Sequence, residues 1–202
     1  MFPFFLLTYS ILGGGIKYID DAFDAKVFSK NMAYILAPLL ALLGVYCMMI
    51  DPVSATILLA IIVGVFIKGK VDNLAFIGAF AFVLLMIILL GIDFLIIPLV
   101  LLSSAAVLDE IGNDFIDSRK KDMDQDKFTS KFLNYFFGHR WILKISILFL
   151  VMIGLVPFYF FFAMLFFDYS YVLIGMLGRL KRGETELPAM GSVVAKIACI
   201  FK

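Results

Sequence analysis

A chain of 202 residues that is 63% hydrophobic and only 16% charged cannot fold as a water-soluble domain, because it has too little polar surface to cover its apolar side chains. The net charge of +1 excludes a generally basic nucleic-acid binder. Two cysteines, Cys47 and Cys199, are too few for a disulfide framework, and their predicted depths at opposite membrane faces forbid a bridge.

Several apolar runs approach the ~20 residues that cross a bilayer as helix. In chain order the candidate spans are 2–18, 32–50, 53–69, 73–91, 92–109, 141–160 and 162–179. They lack the period-two alternation of barrel strands, so the expected fold class is all-α: a polytopic transmembrane helix bundle of about seven spans. No basic segment precedes the first run, so it reads as a retained span. Alternating sides across the seven spans places Lys17, Lys26, Lys30, Lys68, Lys70, the 118–140 stretch and Arg179, Lys181 and Arg182 on one face or at its boundary. The turns near Asp51, Asp93 and Asp168 fall on the other. The positive-inside rule makes the basic face cytoplasmic, so a multi-pass protein of the cell membrane is expected, with its N-terminus outside and C-terminus cytoplasmic. Residues 1–181 form the transmembrane domain, with a polar cytoplasmic loop at 109–140. Residues 182–202 form a cytoplasmic tail, in which Val193, Val194, Ile197, Ile200 and Phe201 recur at the spacing of a short interfacial helix. His139, in Gly-His-Arg-Trp, reads as an interfacial anchor beside Trp141 and not as a ligand.

Two acidic clusters end hydrophobic runs on the same predicted face. The first is Asp20, Asp21 and Asp24; the second is Asp109, Glu110, Asn113, Asp114 and Asp117. Glu110, Asp114 and Asp117 share one helical stripe, where like charges repel unless cations intervene. Solvated helix ends give the same composition. Two clusters on one face, however, can also share divalent cations that hold phosphate groups.

The order of these elements resembles the UbiA-type membrane prenyltransferases. Asp20-Asp21-x-x-Asp24 is similar to the family's first motif with Asp for Asn. Three spans follow, then the second cluster, then Ser118-Arg119-Lys120-Lys121, Phe128-Thr129-Ser130 and Phe137-Gly138. The likeness covers roughly residues 10–145. It departs at Phe28, where the family usually has a further Asp, and in the missing Arg-Pro after the first motif. The resemblance implies a UbiA-like bundle and a Mg²⁺-dependent transfer of a polyprenyl group from a prenyl diphosphate to a hydrophobic acceptor in the lipid bilayer. It implies catalytic roles for Asp21, Asp24, Asp114 and Asp117. The metal set would be Asp20, Asp21, Asp24, Asp109, Glu110, Asn113, Asp114 and Asp117. Lys26, Lys30, Arg119 and Lys120 would neutralise the diphosphate. The alternatives are a cation or metal transporter, in which acids line an ion path, and a non-catalytic membrane subunit. Against transport, no acid falls near the middle of a predicted span.

Overall fold

A computed structural model of the chain describes residues 2–67, 69, 73–119 and 128–183, apart from the side chains of Asp117, Arg119, Lys131 and Asn134. Among these residues there are eight helices and no strand: α1 Phe2–Phe23, α2 Lys30–Ile50, α3 Pro52–Ile67, α4 Leu74–Leu90, α5 Ile96–Arg119, α6 Phe128–Gly138, α7 Trp141–Met152 and α8 Tyr159–Lys181. The tail helix expected within 182–202, save Arg182 and Gly183, and the loop at 120–127 between α5 and α6 lie outside the described residues.

Side chains cap the starts of α3 and α4. Asp51 Oδ1 accepts from the amides of Val53 (2.7 Å) and Ser54 (3.3 Å), with Pro52 in the first helical position of α3. Asn73 Oδ1 accepts from Phe76 N at 2.9 Å and opens α4. α7 stops at Met152 because the chain turns through Gly154 at φ 78°, a conformation that disfavours any residue with a Cβ, and Pro157 follows.

This stop corrects the expected spans. The sixth was read as 141–160 and the seventh as 162–179, but the break falls at 153–158 and α8 runs from Tyr159. Asp168 therefore sits well inside α8, not in a turn at the far face. Among the described residues, four helices are long and apolar enough to cross a membrane: α1, α2, α5 as far as Ile116, and α8. α6 and α7 are bent by 65° and would make a fifth crossing if counted as one broken span. α3 and α4, at 16 and 17 residues, are shorter apolar helices. At 1.5 Å per residue they fall short of the ~30 Å hydrocarbon core by a few ångströms.

Six helices pack in a closed circuit, α1–α2–α3–α5–α7–α8 and back to α1, with α4 against α2 and α6 against α5. The tightest seam joins α1 to α8. A Cβ on Gly13 would stand 2.1 Å from the Phe167 carbonyl oxygen, so the two backbones touch there. Further along, Gly14 faces Ile174 and Asp21 faces Gly178, so α1 and α8 run parallel. At the starts of both helices Phe5 stacks on Tyr159 at 5.9 Å. Tyr159 donates to Asp51 (3.4 Å), and Leu95 N donates to Thr56 Oγ1 (2.8 Å). One end of the bundle thus gathers the turns at Asp51, 91–95 and 153–158. The opposite end gathers the acidic end of α1, the later half of α5, the α6–α7 turn and the basic last turn of α8.

Cysteines introduced at Asp93 and Thr129, both exposed, should react with an impermeant maleimide from opposite sides of sealed vesicles. Reaction from one side would contradict a bundle whose two ends face different compartments.

Candidate functional site

The charged end encloses a polar chamber of about 380 Å³. α1 contributes Lys17 and Asp20, and Asp24 follows just beyond its end; α5 contributes Asp109, Glu110 and Asn113; the α6–α7 turn contributes Arg140; α8 contributes Asp168 and Tyr171. α1 and α5 stand across the helix circuit from one another, not side by side as two motif helices sharing a seam would. Their acids nevertheless reach the same space from opposite walls.

Internal cations pair most of these carboxylates. Lys17 Nζ meets Asp20 Oδ2 at 2.7 Å and Asp21 Oδ1 at 3.0 Å, one helical turn away on the same face. Arg140 Nη2 meets Glu110 Oε1 at 2.9 Å. Lys144 and Asp168, both buried, form an ion pair between α7 and α8, and Lys144 also donates to the His139 carbonyl. Charges this deep need partners, since an unpaired ion away from water costs several kcal/mol. Tyr171 joins the set: Lys17 lies 5.2 Å and Arg140 5.0 Å from its ring centre.

Asp109 has a different task. Its Oδ1 and Oδ2 accept from the amides of Ile142 (3.1 Å) and Leu143 (2.7 Å), the second and third residues of α7. Those donors are ordinarily satisfied by the cap residue itself, but the cap here is Arg140, which has no acceptor in its side chain. A carboxylate from α5 does the capping instead. Arg140 holds φ 49° and ψ 51°, a left-handed conformation that costs a residue with a Cβ about 1 kcal/mol or more. Asp109 and Glu110, adjacent on α5, therefore hold this turn twice, by its backbone and by its guanidinium.

Beside the polar chamber lies an apolar one of about 190 Å³, walled by α1, α2, α3 and α4 with side chains such as Leu12, Ile16, Leu40, Ile61, Phe76 and Phe80. The two share Asp20, Arg140 and Tyr171. Two adjoining chambers, one apolar and one charged, with three wall residues in common, suit an amphiphile with a narrow tail and a polar head.

The residues expected from the sequence divide accordingly. Asp20, Asp24, Asp109, Glu110 and Asn113 line the polar chamber. Asp21 is buried beside it on Lys17, its carboxylate against Gly178 of α8. Asp114 is exposed on α5 and is not among the lining residues. Lys26 and Lys30 are exposed beyond the end of α1, and Lys30 lies over the Phe23 ring at 5.6 Å. The side chains of Asp117 and Arg119, and the whole of Lys120, lie outside the described residues. Phe28, where the resembled motif carries an acid, stacks on Tyr18 at 4.4 Å and closes the end of α1 against α8. His139 stays with Tyr135, its Nδ1 2.9 Å from that carbonyl. Sequence reasoning missed Arg140, Asp168 and Tyr171 as chamber residues, and Lys144 as the partner of Asp168. Only the α7–α8 break, marked by Gly154 and Pro157, offered a signal for the depth of Asp168.

The chain matches no protein-family model, no curated protein and no solved structure. The fit to a hard divalent cation is divided. Carboxylate and amide oxygens are the donors Mg²⁺ takes. Among the described residues, though, no three acidic, His or Cys side chains converge on one point in this arrangement.

Proposed function

We propose that the chain is an integral-membrane prenyltransferase that moves a polyprenyl group from a prenyl diphosphate to a hydrophobic acceptor, in a Mg²⁺-dependent reaction. One observation carries this reading: the apolar and charged chambers meet at Asp20, Arg140 and Tyr171. The apolar side chains of α1 to α4 take the isoprenoid tail, which removes its surface from water and fixes the allylic carbon near the junction. Arg140 and Lys17 meet the diphosphate oxygens and offset the charge that develops as the C1–O bond breaks. The Tyr171 ring faces the junction and stabilises positive charge on the tail. Asp20, Asp24, Glu110 and Asn113 would hold a Mg²⁺ ion, which would supply positive charge to neutralise diphosphate oxygens. The basic end of the bundle faces the cytoplasm, and the diphosphate enters from there.

The test is Mg²⁺-dependent binding of geranyl diphosphate to the purified protein in detergent. Asp20→Asn and Asp24→Asn should weaken it on the order of ten- to a hundredfold, since each removes a charged oxygen donor from the chamber. Asp51→Asn and Asp93→Asn, at the opposite end, should leave it unchanged. No binding by the unmodified protein, or equal binding by all four variants, would end the prenyltransferase reading.

Asp168 favours a second reading. An acid buried within α8 and touching a polar chamber is what a cation path requires, and it removes the objection that no acid lies inside a span. Cation flux into proteoliposomes, abolished by Asp168→Asn and indifferent to prenyl diphosphates, would establish transport in place of transfer.

A further inference from the structure

Gly13, Gly15 and Gly64 stand where another helix presses on them: a Cβ would come 2.1 Å from Phe167, 2.5 Å from Leu40 and 2.7 Å from Ala106 respectively. Gly44 is different. It is buried in α2 and lines the apolar chamber, yet among the described residues a Cβ there would meet only Leu12 Cδ2, at 4.0 Å. Glycine weakens the middle of a helix relative to alanine or leucine. Close helix packing does not call for it at this position, which faces the open space of the chamber.

That space has a definite depth. Gly15 faces Leu40 and Gly44 faces Leu12, so α1 and α2 run antiparallel and Gly44 lies at the level of Leu12. At 1.5 Å per residue, this level is about 12 Å along α1 from Asp20, where the two chambers meet. Met48, one turn further along α2, lines the chamber about 6 Å deeper. One turn beyond Leu12 and Leu58 the chamber is shut. There Tyr9 of α1 and Ser54 of α3, both fully buried, hydrogen-bond to each other at 3.1 Å, and Phe160 packs on the Tyr9 ring.

Resting on the prenyl diphosphate reading, we propose that the apolar chamber selects a tail of three isoprene units: Gly44 leaves room for the third, and Met48 stops a fourth. A trans isoprene unit extends about 5 Å, being four carbon–carbon bonds of about 1.5 Å laid in a zigzag. With the head group held at Asp20, Arg140 and Tyr171, the first two units reach about 10 Å and the third passes Gly44. A fourth would begin at about 15 Å, where Met48 and the Tyr9–Ser54 bond stand in its way. Each admitted unit removes more apolar surface from water, so affinity rises with length up to the third unit and then stops. Gly44→Leu places a side chain in the path of the third unit. Met48→Ala takes away the stop.

The experiment is competition binding of geranyl, farnesyl and geranylgeranyl diphosphate to the full chain in one detergent with Mg²⁺, each affinity corrected for that tail's partition into protein-free micelles. The unmodified chain should prefer farnesyl to geranyl about tenfold and gain no more than about twofold from the fourth unit. Gly44→Leu should lower the farnesyl-to-geranyl preference about tenfold, and Met48→Ala should raise the geranylgeranyl-to-farnesyl ratio about fivefold. The two variants shift the preferred length in opposite directions, which a general loss of folding cannot do. If Gly44→Leu cannot be purified folded, Met48→Ala decides the matter alone. An unmodified chain that binds all three tails equally or favours geranylgeranyl about tenfold over farnesyl, or variants whose ratios stay within about twofold of it, would overturn the length selection and leave the prenyltransferase reading standing. An unmodified chain that binds no prenyl diphosphate would overturn both.

Discussion

Lys144→Met should destabilise the protein by about 3–5 kcal/mol, the cost of leaving the Asp168 carboxylate buried without its partner. Both side chains are almost fully enclosed, at 3% exposure for Lys144 and 6% for Asp168. The substitution also removes the donor to the His139 carbonyl and the cation 4.9 Å from the centre of the Trp141 ring. Lys144→Met combined with Asp168→Leu should recover most of the loss, because two apolar side chains of similar volume need no counter-ion. Unfolding in graded SDS, followed by circular dichroism, gives both values. A single variant as stable as the unmodified chain would show that water reaches this pair.

Gly13→Val should prevent α1 from seating on α8. Even the first carbon of a side chain would stand 2.1 Å from the Phe167 carbonyl oxygen, which belongs to the backbone and cannot rotate aside. The helices must then separate along their whole seam, at a cost on the order of 3 kcal/mol or more once the neighbouring contacts open. Gly78→Val, where nothing lies within 4 Å, is the matched control and should cost only the small helix-propensity difference. Thermal aggregation temperatures in detergent would separate the two. Equal values would place the α1–α8 contact elsewhere.

Most of the helices were legible because their signals are local. Apolar runs between Asp51 and Gly91 bound α3 and α4, and the capping residues Asp51 and Asn73 stand where a sequence reading wants them. The break after α7 was not legible as placed. From Phe149 to Phe162 the chain is uniformly apolar, so only Gly154 and Pro157 distinguish a turn from continuous helix, and the boundary slipped towards Phe162. That slip carried Asp168 to the wrong depth. The two acidic clusters were legible as groups sharing one end, and Asp20, Asp24, Glu110 and Asn113 do share a chamber. Their individual partners were not. Asp109 is satisfied by amides 33 and 34 residues away, and no periodicity encodes a contact made across the helix circuit. From the sequence alone Arg140 gains no role, because the Gly-His-Arg-Trp run reads through His139 as an interfacial anchor beside Trp141. Its placement comes from the α6–α7 turn and the carboxylates of α5.

The parallel seam between α1 and α8 also sets an order of events during synthesis. Residues 24–158 must be made between the two helices, which at ordinary elongation rates takes roughly ten seconds or more. Through that interval α1 resides in lipid without the neighbour that later covers Gly13. Lys17 bonds Asp20 and Asp21 within the same helix, so α1 carries its counter-ion with it and needs no partner to neutralise it. Lys144 and Asp168 are divided between α7 and α8, which leave the ribosome in succession, and their charges are separated only briefly. The distribution of ion pairs along the chain thus matches the sequence in which its helices meet the membrane.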